Sequence, residues 1–166
     1  MSEISGERNE IRPAKVSEAD LLTELALRSK SHWGYDADFI EDCRADLTLK
    51  PDYIAAHAVF VIEEQGRVVG FYSLERQADN DVELMHLFVE PEAIGGGHGK
   101  RLWRHAVETA RQLGFQEMVI GSDPFAESFY KAMGARRVGE VASIVRPGRM
   151  LPLLRFKLPL SSASVM

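Results

Sequence analysis

Apolar positions along the chain alternate between a period near two and a period near 3.6, and these switches divide it into strands and helices. Ile11 to Val16 reads as a first strand, which Pro13 confines to a sheet edge. Ser17-Glu18-Ala19-Asp20 resembles a capping box with Asp in place of Glu. It opens a helix whose stripe is Leu21, Leu22, Leu25 and Leu27 and which ends near Ser31. A second helix, from about Asp38 to Leu47, turns Phe39, Ile40, Cys43 and Leu47 inward. Ala58 to Glu64 and Arg67 to Arg76 are strand-like and joined through Gln65-Gly66, a hairpin signal. After the turn at Ala78-Asp79-Asn80-Asp81, Val82 to Val89 forms a fourth strand that Pro91 closes. From Gly97 onward Leu102, Trp103, Ala106, Val107, Ala110 and Leu113 recur at helical spacing, with a stop at Gly114. Glu117 to Gly121 is a fifth strand, parallel to the fourth, and a short helix from Phe125 to Met133 ends at Gly134. Arg136 to Ile144 and Leu151 to Leu158 read as two last strands around Arg146-Pro147-Gly148-Arg149. The pattern therefore predicts an α/β (α+β) fold. Its mixed, mostly antiparallel sheet of about seven strands is flanked by helices on both faces. That domain occupies residues 11–158, with a disordered tail expected at residues 1–10 and a short polar tail at 159–166.

The densest chemical signal lies between the fourth strand and the helix after it. Gly95-Gly96-Gly97-His98-Gly99 holds four glycines in five residues immediately before a helix. Such a loop admits close approach to the backbone, and the unpaired N–H groups and dipole of the first helical turn attract an anion. A phosphate suits it. The nucleotide P-loop spacing is not met, because Ile94 stands where its first Gly belongs and Arg101 follows Gly99-Lys100. The dinucleotide pattern fails as well, with Lys100 or Leu102 at its last glycine position.

A third pattern fits. Pro91-Glu92 followed by Gly97-His98-Gly99-Lys100-Arg101-Leu102 resembles the coenzyme A signature of the GNAT superfamily of N-acetyltransferases. Ile94 departs from the Arg or Gln at the first position of that signature, which leaves the backbone cradle without its usual side-chain help. Further on, Asp123 to Ala135 resembles the family's Asn-x-x-Ala-x-x-Phe/Leu-Tyr-x-x-x-Gly-Phe. Ala126, Phe129, Tyr130 and Gly134 match, Asp123 stands for Asn and Ala135 for Phe.

This resemblance implies direct transfer of an acetyl group from acetyl-CoA, as co-substrate and with no metal, to an amine. The family's sheet splays between its fourth and fifth strands to admit the pantetheine. Leu87, Phe88 and Val89 would offer it backbone groups, and Gly95, Gly96, Gly97, His98, Gly99 and Lys100 would hold the pyrophosphate. Tyr130 falls at the family's thiolate-donor position and Glu83 at that of its general base, with His86 as the alternative base. Strict alternation would put Glu83 on a face with Met85 and Leu87, and His86 opposite with Leu84 and Phe88. Asp123, counted with the coenzyme-binding residues, either ties the fifth strand to the following turn or caps the helix near Phe125. In the loop Ser31 to Asp36, His32, Trp33 and Tyr35 either pack over the domain or wall the acceptor site, and Arg146 and Arg149 are solvated or meet an acidic acceptor.

Composition narrows the classes further. At 166 residues, with 45% hydrophobic and 27% charged side chains, the chain suits one globular domain. A net charge of −5 argues against a nucleic-acid partner and is compatible with a cationic one. The single cysteine, Cys43, permits neither an intrachain disulfide nor a cysteine cluster, and no apolar run suggests a membrane partner, so a cytoplasmic location is expected. The acceptor is expected to be a small-molecule or peptide amine. Members of the family often form homodimers, though no residue here indicates one. A coenzyme-binding sensor of the same fold, without turnover, is the alternative reading, prompted by Ile94.

Overall fold

The computed structural model describes residues 9–78 and 80–160. Seven strands form one sheet in the order β1-β2-β3-β4-β5-β7-β6. They are β1 (Asn9–Pro13), β2 (Ala58–Glu64), β3 (Arg67–Ala78), β4 (Asp81–Val89), β5 (Glu117–Gly121), β6 (Arg136–Ala142) and β7 (Met150–Lys157). β1 pairs antiparallel with β2, Ile11 facing Ile62, and occupies the sheet edge that Pro13 requires. At the Gln65-Gly66 turn both residues have positive φ, 54° and 80°, which a two-residue hairpin of matching twist needs. β4 and β5 run parallel, Val82 opposite Met118. β7 inserts between β5 and β6 and is antiparallel to both.

The chain falls into two compact units. The first extends to Ser73 and adds His86–Leu102; the second comprises Leu74–Met85 and the chain from Trp103 onward. In the first unit, α1 (Ala19–Ser31), α2 (Ala37–Leu47) and α3 (Pro51–Ala56) accompany β1, β2 and the start of β3. Leu22, Leu25, Ala26, Phe39, Cys43, Ile62 and Phe71 are buried there. In the second, Val82, Leu84, Trp103, Ala106, Met118, Ile120 and Leu154 are buried. Each large apolar side chain so removed from water contributes about 1.5–3 kcal/mol. The helices there are α4 (His98–Gln112), which begins in the first unit, and α5 (Glu127–Ala132).

Several expectations need correction. β1 begins at Asn9, inside the expected tail, and ends at Pro13 rather than at Val16, because Asn9 and Glu10 pair with β2 and Val16 already belongs to a helical turn. Leu21 is exposed, because the buried stripe of α1 runs through Leu22, Leu25, Ala26 and Ser29 and leaves position 21 outside it. Ile40 is only half-buried. Leu113 is exposed, since α4 stops at Gln112 and Gly114, with φ 93°, turns the chain away. The box at Ser17–Asp20 does not form; instead the Glu18 carboxylate accepts from the Lys15 N–H at 2.8 Å and from Arg12 Nη2 at 2.8 Å, ahead of α1. The helix α3 was not foreseen, as its six residues bury only Ile54 and show no periodicity.

Candidate active site

In the first unit, β4 leads into the glycine loop through Glu90. Its N–H donates to the Val69 carbonyl at 2.8 Å, and its buried carboxylate accepts from Arg28 Nε at 3.0 Å and Nη2 at 2.5 Å. A short turn, Pro91–Ala93, follows. Gly95 and Gly97 take φ of 95° and 86°, and a Cβ on either would meet nothing within 4 Å. Their glycine requirement is thus one of backbone conformation, and the space above them is open for a ligand. At Gly96 a Cβ would come within 2.9 Å of the His98 ring.

α4 starts at His98, and the Arg101 N–H donates back to the Gly97 carbonyl at 3.1 Å, which leaves the N–H groups of the preceding turn without carbonyls inside the helix. Exposed Lys100 and Arg101 add positive charge. This is an anion cradle. The His98 imidazole is not part of it. The ring is buried beneath the loop, with Nδ1 3.2 Å from the Ala93 carbonyl oxygen and Nε2 3.5 Å from Glu64 Oε1, so only the backbone of His98 faces a ligand. Ile94 is exposed. Leu87 and Phe88 are half-buried and Val89 buried.

His86 is buried, and its Nδ1 lies 2.6 Å from Ser73 Oγ, which is 3.0 Å from Tyr53 Oη. Burial holds the imidazole well below its usual pKa, at about 4, so it is neutral at physiological pH. Ser73 and Gln77, four apart on β3, contact His86 and Glu83, three apart on β4. Along β4, Val82, Leu84 and His86 are buried whereas Glu83 and Met85 are not, which is the alternation expected of the strand. Ser73 and Tyr53 were not singled out from the sequence. The available signal was a serine inside the apolar run of β3, whereas no pattern marks Tyr53.

In the second unit, Glu83 is half-buried and hydrogen-bonded to Gln77. Burial, and then the neighbouring Glu75 carboxylate, push its pKa up. Tyr130 on α5 is buried, with its ring 5.8 Å from Trp103 and 5.2 Å from Phe129. Burial, helped by the Asp123 charge, raises the phenol's pKa, so the hydroxyl keeps its proton. Asp123 caps the turn before α5: its Oδ1 accepts from the Phe125 N–H at 2.9 Å, and Oδ2 lies 4.0 Å from Arg149 Nη2. Of the acceptor-side aromatics, in the first unit, Tyr35 packs on Phe39 at 4.5 Å, while His32 and Trp33 are exposed and meet edge to face at 5.2 Å.

Comparison with known proteins bears on these halves together. A model of the acetyltransferase (GNAT) family matches residues 20–135. N-acetylaspartate synthetase of Danio rerio is 35% identical over 88 residues, which cover 51% of this chain and 31% of that protein. N-acetyltransferase family 8 member 3 of Rattus norvegicus is 29% identical over 160 residues, 89% of this chain and 69% of the relative. The chain thus matches less than a third of the synthetase's length. A crystal structure of the PaiA N-acetyltransferase from Thermoplasma acidophilum in complex with coenzyme A shares the fold, with a TM-score of 0.75 at 19% identity over 90% of this chain and 99% of that one. Since the family match takes in both the glycine loop and the segment that carries Tyr130, the chain belongs to the acetyltransferase (GNAT) family.

Proposed function

We propose that this acetyltransferase uses acetyl-coenzyme A and moves the acetyl group directly to a primary amine of a small molecule or peptide. The observation that carries the reading is the glycine loop, with left-handed Gly95 and Gly97 and open space above them, running into the N-terminus of α4. The pyrophosphate occupies that cradle, and the backbone of Leu87 to Val89 receives the pantetheine. Glu83 takes the proton of the incoming ammonium, a role that its raised pKa favours by bringing the carboxylate closer to the amine. The free amine attacks the thioester carbonyl and forms a C–N bond, the C–S bond breaks, and Tyr130 protonates the departing thiolate.

Two measurements test this. Acetyl-coenzyme A at about a hundred times its Kd adds roughly 2.7 kcal/mol of stability and raises the unfolding midpoint, while ATP and NAD do not. A screen of amines for thiol release then identifies the acceptor. The similarity to a protein named N-acetylaspartate synthetase puts aspartate first in it. The absence of a shift with millimolar acetyl-coenzyme A would refute the reading.

A further inference from the structure

His98 stands in the middle of the glycine loop, yet its ring is buried beneath that loop, with 4% of the side chain exposed. A Cβ on Gly96 would lie 2.9 Å from the ring's Cε1 and 3.1 Å from Nδ1, so the loop backbone rests directly on the imidazole. Nδ1 is 3.2 Å from the Ala93 carbonyl oxygen, and Nε2 is 3.5 Å from Glu64 Oε1 at the end of β2. Among the described residues, Nε2 is the one buried side-chain nitrogen or oxygen that makes no hydrogen bond. All of these groups belong to the first unit.

Both ring nitrogens therefore face an oxygen that can only accept. A neutral imidazole carries a single N–H, so either tautomer turns a lone pair toward an oxygen: toward the Glu64 carboxylate when Nδ1 holds the proton, toward the Ala93 carbonyl when Nε2 does. Only the imidazolium donates on both sides. Two features oppose that charge: the ring is withdrawn from water, and it belongs to the first turn of α4, at the positive end of the helix dipole. The segments around it carry further charges. Glu92 is ion-paired with Arg67 of β3, Glu63 of β2 with Arg12 of β1, and exposed Lys100 and Arg101 on α4 are positive. A pyrophosphate in the cradle would reverse the balance, because its negative charge offsets the dipole and the two cations.

We propose that His98 is a coenzyme-positioning residue that works as an imidazolium: as the pyrophosphate binds, the ring takes up a proton from solvent and braces the loop from below. Nδ1 then donates to the Ala93 carbonyl and Nε2 to Glu64, which fixes the loop between β2 and the start of α4 while the backbone above stays open to the ligand. The coenzyme-bound protein holds more protons than the free protein, so affinity for the coenzyme rises as pH falls through the titration of the ring and declines as pH rises through it. This inference rests on the coenzyme-binding half of the acetyl-transfer reading and is independent of the acceptor.

Calorimetric titration with acetyl-coenzyme A, from about pH 5.5 to about 8.5 in buffers of different ionisation enthalpy, counts the protons taken up on binding. The coenzyme's own phosphate monoester titrates in the same range, so the quantity read is the difference between wild type and His98→Gln, to which that phosphate contributes equally. Wild type is expected to take up as much as about one proton more than the variant, and its affinity relative to the variant to fall by up to roughly tenfold per pH unit. Glu64→Gln changes an exposed side chain and serves where His98→Gln folds poorly: it takes the negative partner from the imidazolium and moves the uptake to lower pH. Equal uptake in wild type and His98→Gln, or an uptake that Glu64→Gln leaves unchanged, overturns the role of His98 while coenzyme binding stands. A wild type that binds no acetyl-coenzyme A at any pH in the range overturns the coenzyme reading, and the role of His98 with it.

Discussion

Tyr130 and Glu83 have their pKa values moved in the same direction, with different chemical consequences. Burial of the phenol destabilises its charged form, so Tyr130 holds a proton to give at neutral pH. Tyr130→Phe keeps the ring beside Trp103 and removes only the hydroxyl that carries that proton. Steady-state thiol release is expected to fall by about tenfold to a thousandfold in kcat, with little change in the KM for acetyl-coenzyme A. For Glu83, a raised pKa makes a better base but costs stability. Between its unfolded and its folded pKa the native state binds more protons than the unfolded chain, so stability falls as pH rises through that window. Glu83→Gln should therefore raise the unfolding midpoint at neutral pH and lose that gain below the usual carboxylate range. Under the proposed mechanism it should also abolish a rise of kcat/KM with pH that follows ionisation of Glu83. Thermal scans and rate profiles over the same buffers check both.

Among the elements, the loop and α4 act through backbone geometry more than through side chains. Gly97 sits at φ 86°, where an alanine is strained by about 1–2 kcal/mol. Gly97→Ala is expected to weaken acetyl-coenzyme A binding roughly tenfold or lower the midpoint by roughly 2–8 °C, depending on whether the loop keeps or abandons its conformation. Gly139→Ala, in β6, meets no atom within 4 Å and needs no left-handed backbone, so it should leave affinity unchanged. Calorimetric titration of both variants separates the two positions. The root of the loop depends on charge as well, because the carboxylate of Glu90 is buried and its partner Arg28 comes from α1. Such a pair is asymmetric: loss of the exposed arginine would strand a buried negative charge.

At the scale of the whole molecule, the single thiol is out of reach. Cys43 is 1% exposed, so a thiol reagent is expected to leave it unmodified in the native protein and to titrate one thiol after denaturation. That also keeps the background low in assays of thiol release. Local patterning by itself determined the strands and longer helices, the edge position of β1 and the glycine loop, because period, proline position and glycine spacing are properties of neighbouring residues, whereas Tyr130 was singled out by the resemblance of its segment to the family's. The second of the two family segments confirmed the first, and both lie within the matched region. Other features came only with the fold. The insertion of β7 between β5 and β6 pairs segments far apart in sequence. The turning of His98 beneath its own loop depends on what the neighbouring strand presents. The file from His86 through Ser73 to Tyr53 joins three elements, and a hydrogen bond between residues 20 or 13 positions apart leaves no periodic trace in a sequence. Burial likewise set the protonation of Tyr130, Glu83 and His86, since the cost of removing a charge from water depends on atoms that only the tertiary structure brings near.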